Sequence, residues 1–173
     1  MALVLKQPIE ISTDEDLARV SSENPGHRFE REEDGAIVVS PTFTKGGSKS
    51  AEACGQLRDY AKVAGGKAYD SSTGFAIGPG RRLVSPDASW VSSERMRTLS
   101  ESELAGFWPL SPDVAIEVRS ATDAFRDTIA KIESYVERGT AYAVAIDPVG
   151  RNVVERGTPP PGLTLDFNAI IEA

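Results

Sequence analysis

Apolar and polar positions divide the chain into short segments. Thr13-Asp14-Glu15-Asp16 predicts a helix start, with Thr13 as its cap and acids at its positive end, and Asn24-Pro25-Gly26 stops it. HRFEREEDGAIVVS, from His27 to Ser40, predicts a hairpin around the turn pair Asp34-Gly35. Between Gly47 and Ala64, residues Ala53, Leu57, Tyr60 and Ala64 share one helical face, and Gly65-Gly66 ends the helix. Short strands follow at Lys67 to Asp70 and Thr73 to Ile77, then a Gly78-Pro79-Gly80 turn. Leu83 to Val91 reads as one further strand, with Pro86-Asp87 inside it, and Ser92 to Ala105 as broken helix and loop. Pro112 to Arg119 carries a near-continuous apolar run, the mark of a buried strand. Asp123 to Arg138 has helical spacing, with Phe125, Ile129, Ile132 and Val136 facing inward and Gly139 after its end. Ala141 to Ile146 is a second wholly apolar strand, and Asn152 to Glu155 a third strand after a turn.

Strand, helix and strand from Val114 to Ile146 predict a right-handed crossover between parallel strands. Two strands with near-continuous apolar runs require cover on both faces, and the hairpins make the sheet mixed. The expected class is therefore α/β, mixed α+β: a mixed central sheet flanked by helices. The 173 residues suit a single domain. Within it, 1–46 form an N-terminal helix and hairpin extension, 47–156 the core, and 157–173 a C-terminal segment after the Pro159-Pro160-Pro161-Gly162 connector.

Composition narrows the chemistry. The single cysteine, Cys54, excludes an intrachain disulfide, and the single histidine, His27, argues against a His-rich metal site or a Ser-His-Asp triad. MALVLKQP is too short for a signal peptide and no apolar run is long enough to span a membrane, so a reducing cytoplasm is the expected location. A net charge of −7 argues against tight DNA binding through phosphates alone, yet suits an acidic site that a cation neutralises.

The informative position is Glu117, inside Val114-Ala115-Ile116-Glu117-Val118. A buried carboxylate costs several kcal/mol unless something cationic meets it. The candidates are Arg119 two residues on, a lysine from elsewhere, or a metal ion. Residues 117 and 119 project from the same strand face, roughly 6–7 Å apart. Asp87 lies on a preceding strand; if the two strands are neighbours, its carboxylate comes within about 5 Å of Glu117. Such a pair suits Mg²⁺ or Mn²⁺. Asp113 is a poor partner, roughly 13 Å away along the same strand. The bland reading is a structural Glu117–Arg119 ion pair, with Asp87 merely ending a strand.

Pro86-Asp87 followed by Glu117-Val118-Arg119 resembles the PD-(D/E)XK nuclease signature, with arginine where lysine is usual. RFEREEDGAIVVSP, DSSTGF, SPDASWV, FWPLSPDVAIEVRSATD, KIESYVERG and AVAIDP occur in the order found in the "Uma-two" family of restriction-endonuclease-like proteins. This resemblance covers Phe29 to Pro148. It implies the restriction-endonuclease-like fold, with Asp87 and Glu117 as metal-binding acids. It offers Glu52 of the first core helix, or Glu30 on the hairpin, as the completing acid. Family members often carry a histidine near the start of that helix; here Ser48 and Lys49 stand there, so no histidine role transfers.

Arginine stays protonated, so Arg119 is no general base; it suits clamping a phosphate. Lys131 matches a family lysine and is the expected substitute for the missing motif lysine. The resemblance thus implies a Mg²⁺- or Mn²⁺-dependent endonuclease hydrolysing phosphodiester bonds of DNA. The alternative is a catalytically impaired nuclease-fold protein acting as a binding or assembly module. Analogy of fold also implies a homodimer, since paired sites suit double-strand cleavage.

Overall fold

In the computed structural model, residues 11–24, 27–41, 44–104, 106–121 and 123–173 are described. The MALVLKQP start and the Pro25-Gly26 stop lie outside them. The elements run α1 (Asp14–Glu23), β1 (His27–Arg31), β2 (Ile37–Pro41), α2 (Thr44–Ala64), β3 (Lys67–Asp70), β4 (Phe75–Ile77), β5 (Arg82–Val84) and β6 (Ala88–Val91). Next come α3 (Ser93–Met96), α4 (Glu101–Leu104), β7 (Val114–Val118), α5 (Phe125–Glu137), β8 (Tyr142–Asp147), β9 (Asn152–Gly157) and α6 (Phe167–Glu172).

The central sheet has the order β3-β6-β7-β8-β9, antiparallel except for the parallel pair β7–β8. That parallel pair is joined through α5, as the apolar strands and intervening helix predict. Side-chain alternation divides the sheet's two faces. Val114 and Ile116 of β7 pack with Ala53 and Leu57 of α2 and Ile170 and Ile171 of α6. Ala115 of β7 and Ala143 and Ala145 of β8 pack with Ile132 and Tyr135 of α5. Small alanines on this second face let α5 approach closely. Glu117 shares the face of Ala115, so it lies under α5.

The hairpin belongs to a second sheet, β2-β1-β5-β4, rather than to an extension of the first. Its core is Phe29, Ala76 and Leu83, with Leu17 and Val20 from α1. Thr13 caps α1 through a reciprocal box with Asp16, each side chain bonding the other's backbone N–H at 3.1 Å.

One expected element is corrected. Leu83 to Val91 is two strands, broken at Ser85-Pro86-Asp87. Proline lacks the N–H a ladder needs, and the chain uses the break to cross from one sheet to the other. The helix at 47–64 starts earlier, at Thr44, and the last strand continues to Gly157. Gly66, at φ 77°, lets the α2–β3 turn approach β6; a Cβ there would lie 2.3 Å from the Val91 carbonyl oxygen.

Candidate active site

The acid cluster forms where the chain changes sheets. Ala88 pairs with Ile116, and the next step of that antiparallel register sets Asp87 across from Glu117. Residues so placed have Cβ atoms about 4.5–5.5 Å apart. Asp87 Oδ2 accepts the Val118 N–H at 2.8 Å, which ties the Pro-Asp turn to the end of β7. From the other sheet, Arg28 and Glu30 of β1 point the same way, two residues apart on one strand. Arg28 Nη1 donates to Asp87 Oδ1 and to the Ser85 carbonyl, both at 2.9 Å. Glu30 Oε1 accepts the Ser85 N–H at 2.7 Å. The backbone of Ser85 is thereby held from both sides.

Helix α5 closes the cluster. Lys131 Nζ donates to Glu30 Oε1 at 3.1 Å and Oε2 at 3.2 Å, and lies 3.1 Å from Glu117 Oε1. One turn on, the Tyr135 hydroxyl donates to Glu117 Oε1 at 2.6 Å. Glu30, Asp87 and Glu117 are 8%, 7% and 5% exposed, so water screens their charges poorly. Lys131 and Arg28 remain partly accessible. The cluster is thus reached through its cations.

Electrostatics follow from that arrangement. Burial pushes the Glu117 carboxyl up; Lys131 draws it down, Asp87 and Glu30 push it up again, and it settles at about 7. Burial would also raise Glu30, but Lys131, the Ser85 N–H and Arg28 outweigh it and hold this acid below its ordinary value. Burial would lower Lys131, yet Glu117 and Glu30 overcome it and raise the ammonium's pKa. Arg28 is held charged in the same way, chiefly by Asp87. Burial, with Glu117 and Glu30, keeps Tyr135 a neutral donor.

The structure brings Glu30, Asp87, Glu117 and Lys131 together, and adds Arg28 and Tyr135. Both additions carry a periodic signal: Arg28 stands two residues before Glu30 on a strand, and Tyr135 four residues after Lys131 on a helix. It does not bring in Glu52 or Arg119. Glu52 sits on α2, which covers the opposite face; its carboxylate accepts a hydrogen bond from Gln56. Arg119 Nε pairs with Asp147 Oδ1 at 2.8 Å, and its Nη1 donates to the Asp123 carbonyl at 2.7 Å. The partner of Glu117 is therefore a lysine from elsewhere, not Arg119. Asp113 pairs with Arg95 at 3.0 Å and accepts the Ser92 N–H.

Among the described residues, no three His, Cys, Asp or Glu side chains converge as a ready cage for a metal ion. The donor set nevertheless fits a hard cation of the Mg²⁺ type, which takes one or two carboxylates and completes its shell with water and phosphate oxygens. Three clustered acids against two cations leave one negative charge in excess when all are ionised. Glu117 Oε2 also has no hydrogen-bond donor among the described residues.

Comparisons with known proteins agree on the architecture. A family model described as "Uma2: Putative restriction endonuclease" matches residues 14–161. The crystal structure of a "putative nuclease belonging to DUF820" from Anabaena variabilis superposes with a TM-score of 0.64 at 18% identity, covering 83% of this chain and 89% of that one. No curated protein matches. No described helix is long and apolar enough to cross a membrane.

Proposed function

The chain belongs to the Uma2 family, and we propose that it is a divalent-metal-dependent endonuclease that hydrolyses phosphodiester bonds of DNA at the Asp87–Glu117 cluster. The observation that carries this reading is Glu117 itself. An acid in an otherwise apolar strand, facing a second acid just before the neighbouring strand and covered by a lysine, has no structural necessity. Packing would be better served by an apolar side chain there.

Asp87 and Glu117 would hold the cation, with Glu30 beside them. A bound Mg²⁺ or Mn²⁺ supplies Lewis-acid neutralisation of the scissile phosphate and a more acidic water. The remaining work falls to the chain. Lys131 carries the positive charge that the motif's third position does not bring here, and offers it to the phosphate or the attacking water. Arg28 fixes Asp87 while remaining partly accessible, so its free donors suit a phosphate oxygen. Ser85 locks the turn that presents Asp87.

Purified protein with Mn²⁺ or Mg²⁺, incubated with plasmid and with single-stranded DNA, tests the proposal. Cleavage is expected to require the metal and to disappear in Asp87→Ala and in Glu117→Ala. Cleavage that survives both substitutions sinks it. Metal binding without any cleavage makes the protein a nuclease-fold binding module instead.

A further inference from the structure

We infer that Tyr135 is a positioning residue that fixes which oxygen of Glu117 meets the metal, an inference that rests on the reading of the site given above. The Tyr135 hydroxyl is buried, with the whole residue 1% exposed, and it donates to Glu117 Oε1 at 2.6 Å. Lys131 faces that same oxygen from 3.1 Å. The Tyr135 hydroxyl and the Lys131 ammonium on α5 therefore converge on Oε1, and Oε2 has no hydrogen-bond donor among the described residues. The neighbouring acids are engaged differently. Asp87 uses Oδ1 for Arg28 and Oδ2 for the Val118 N–H, while Glu30 meets Lys131 with both oxygens.

The two groups that face Oε1, one hydrogen-bonded and one ion-paired, are not equivalent. Lys131 neutralises the carboxylate and so competes with an incoming cation. Tyr135 is a neutral phenol that orients the carboxylate and leaves its charge for the metal. It can stay in place when Lys131 turns to the phosphate. Its ring is clamped between α5 and the Ala115-Ala143-Ala145 face, so the hydroxyl has little freedom to wander. An outer-shell donor of this kind usually contributes about ten- to a hundredfold in metal affinity.

Calorimetric titration of Mn²⁺ into metal-free wild type, Tyr135→Phe and Ile132→Val provides the test. Phenylalanine keeps the ring and removes only the hydroxyl. Ile132 packs on the same helix and face and has no polar atom to offer Glu117, so its variant controls for packing loss. The expected result is about tenfold or greater weakening in Tyr135→Phe, with unchanged stoichiometry and near-wild-type affinity in Ile132→Val. Equal affinity in wild type and Tyr135→Phe overturns the inference and leaves the metal site standing. An equal loss in Ile132→Val also overturns it, because packing alone then explains the effect. Absence of Mn²⁺ binding in the wild type overturns the reading of the site, and this inference with it. Crystals of the wild type grown with Mn²⁺ decide the point without a variant. An ion on Glu117 Oε2, with Tyr135 still on Oε1, supports the assignment; an ion on Oε1 with the hydroxyl displaced refutes it.

Discussion

Replacing Lys131 with methionine separates its two roles. The substitution keeps most of the side-chain volume and removes one ammonium that stands 3.1 Å from both Glu30 Oε1 and Glu117 Oε1. At an effective dielectric of about 20, each contact is worth roughly 5 kcal/mol before desolvation is subtracted. Removing one partner of a buried pair costs about 3–5 kcal/mol net, so the metal-free variant should lose that much stability in urea. Metal binding should move the other way. A bound ion would compete with the Lys131 ammonium for the charge of Glu117, and one charge-assisted contact is worth about 1.5–3 kcal/mol. The variant has no ammonium to displace, so its Mn²⁺ affinity should rise about ten- to a hundredfold. Cleavage should nevertheless fall by about a hundredfold or more, because the phosphate loses its nearby cation. Calorimetry, urea unfolding in chelator and a plasmid nicking assay read the three quantities. An Mn²⁺ affinity equal to or weaker than wild type refutes the view that Lys131 competes with the metal.

Other positions give sharper single readouts. Glu117 is held at about 7 against 4.5 for a free glutamate. Between those values the unfolded chain has released a proton that the native state keeps, so metal-free stability falls as pH rises through this window. The effect is on the order of 3 kcal/mol, complete above pH 7 and absent below 4.5. The unfolding free energy of Glu117→Gln minus that of wild type should grow by that amount from pH 4.5 to 7; a flat difference contradicts the assignment. Arg119→Ala should cost about 1–3 kcal/mol, because Asp147 keeps its bond from the Val149 N–H but loses the guanidinium. Its Mn²⁺ affinity should remain within about twofold of wild type by calorimetry. Glu52→Ala should change neither Mn²⁺ affinity nor the cleavage rate, since it lies across the sheet; a tenfold loss in either would return it to the site.

The central sheet was legible because its signals are local. Apolar runs at Val114–Val118, broken only by Glu117, and at Tyr142–Ile146, with a helical period between them, leave little alternative to a parallel crossover. The division into two sheets was not, because it depends on one bond set at Ser85-Pro86-Asp87, where side chains from β1 replace ladder partners. Asp87 and Glu117 could be paired from motif order and strand alternation. Arg28 and Tyr135 could have been found by the same periodicities, applied to Glu30 and Lys131. Glu52 misleads for a physical reason. A helix can cover either face of a sheet, and sequence spacing does not say which.

The arginine at position 119 makes sense once β8 is considered. Strand β7 ends at Val118, and the Arg119 N–H still bonds the Ile146 carbonyl at 2.8 Å, so residue 119 stays attached to β8. Its side chain then meets Asp147, the last residue of that strand, only 6% exposed. A planar, permanently charged fork can satisfy Asp147 and the Asp123 carbonyl together, which a single ammonium does less well. The strand position is therefore committed to tying β7, β8 and the start of α5. The site's cation comes instead from α5, where Lys131 shares a face with Tyr135. This division predicts the outcome of moving the lysine back. In the double variant Arg119→Lys, Lys131→Met, the new ammonium should be captured by Asp147, and cleavage should stay as low as in Lys131→Met alone. Adding Asp147→Asn should release it and recover part of the rate. Full recovery in the double variant would mean that position 119 reaches the acids unaided and that Asp147 is not what holds its cation away.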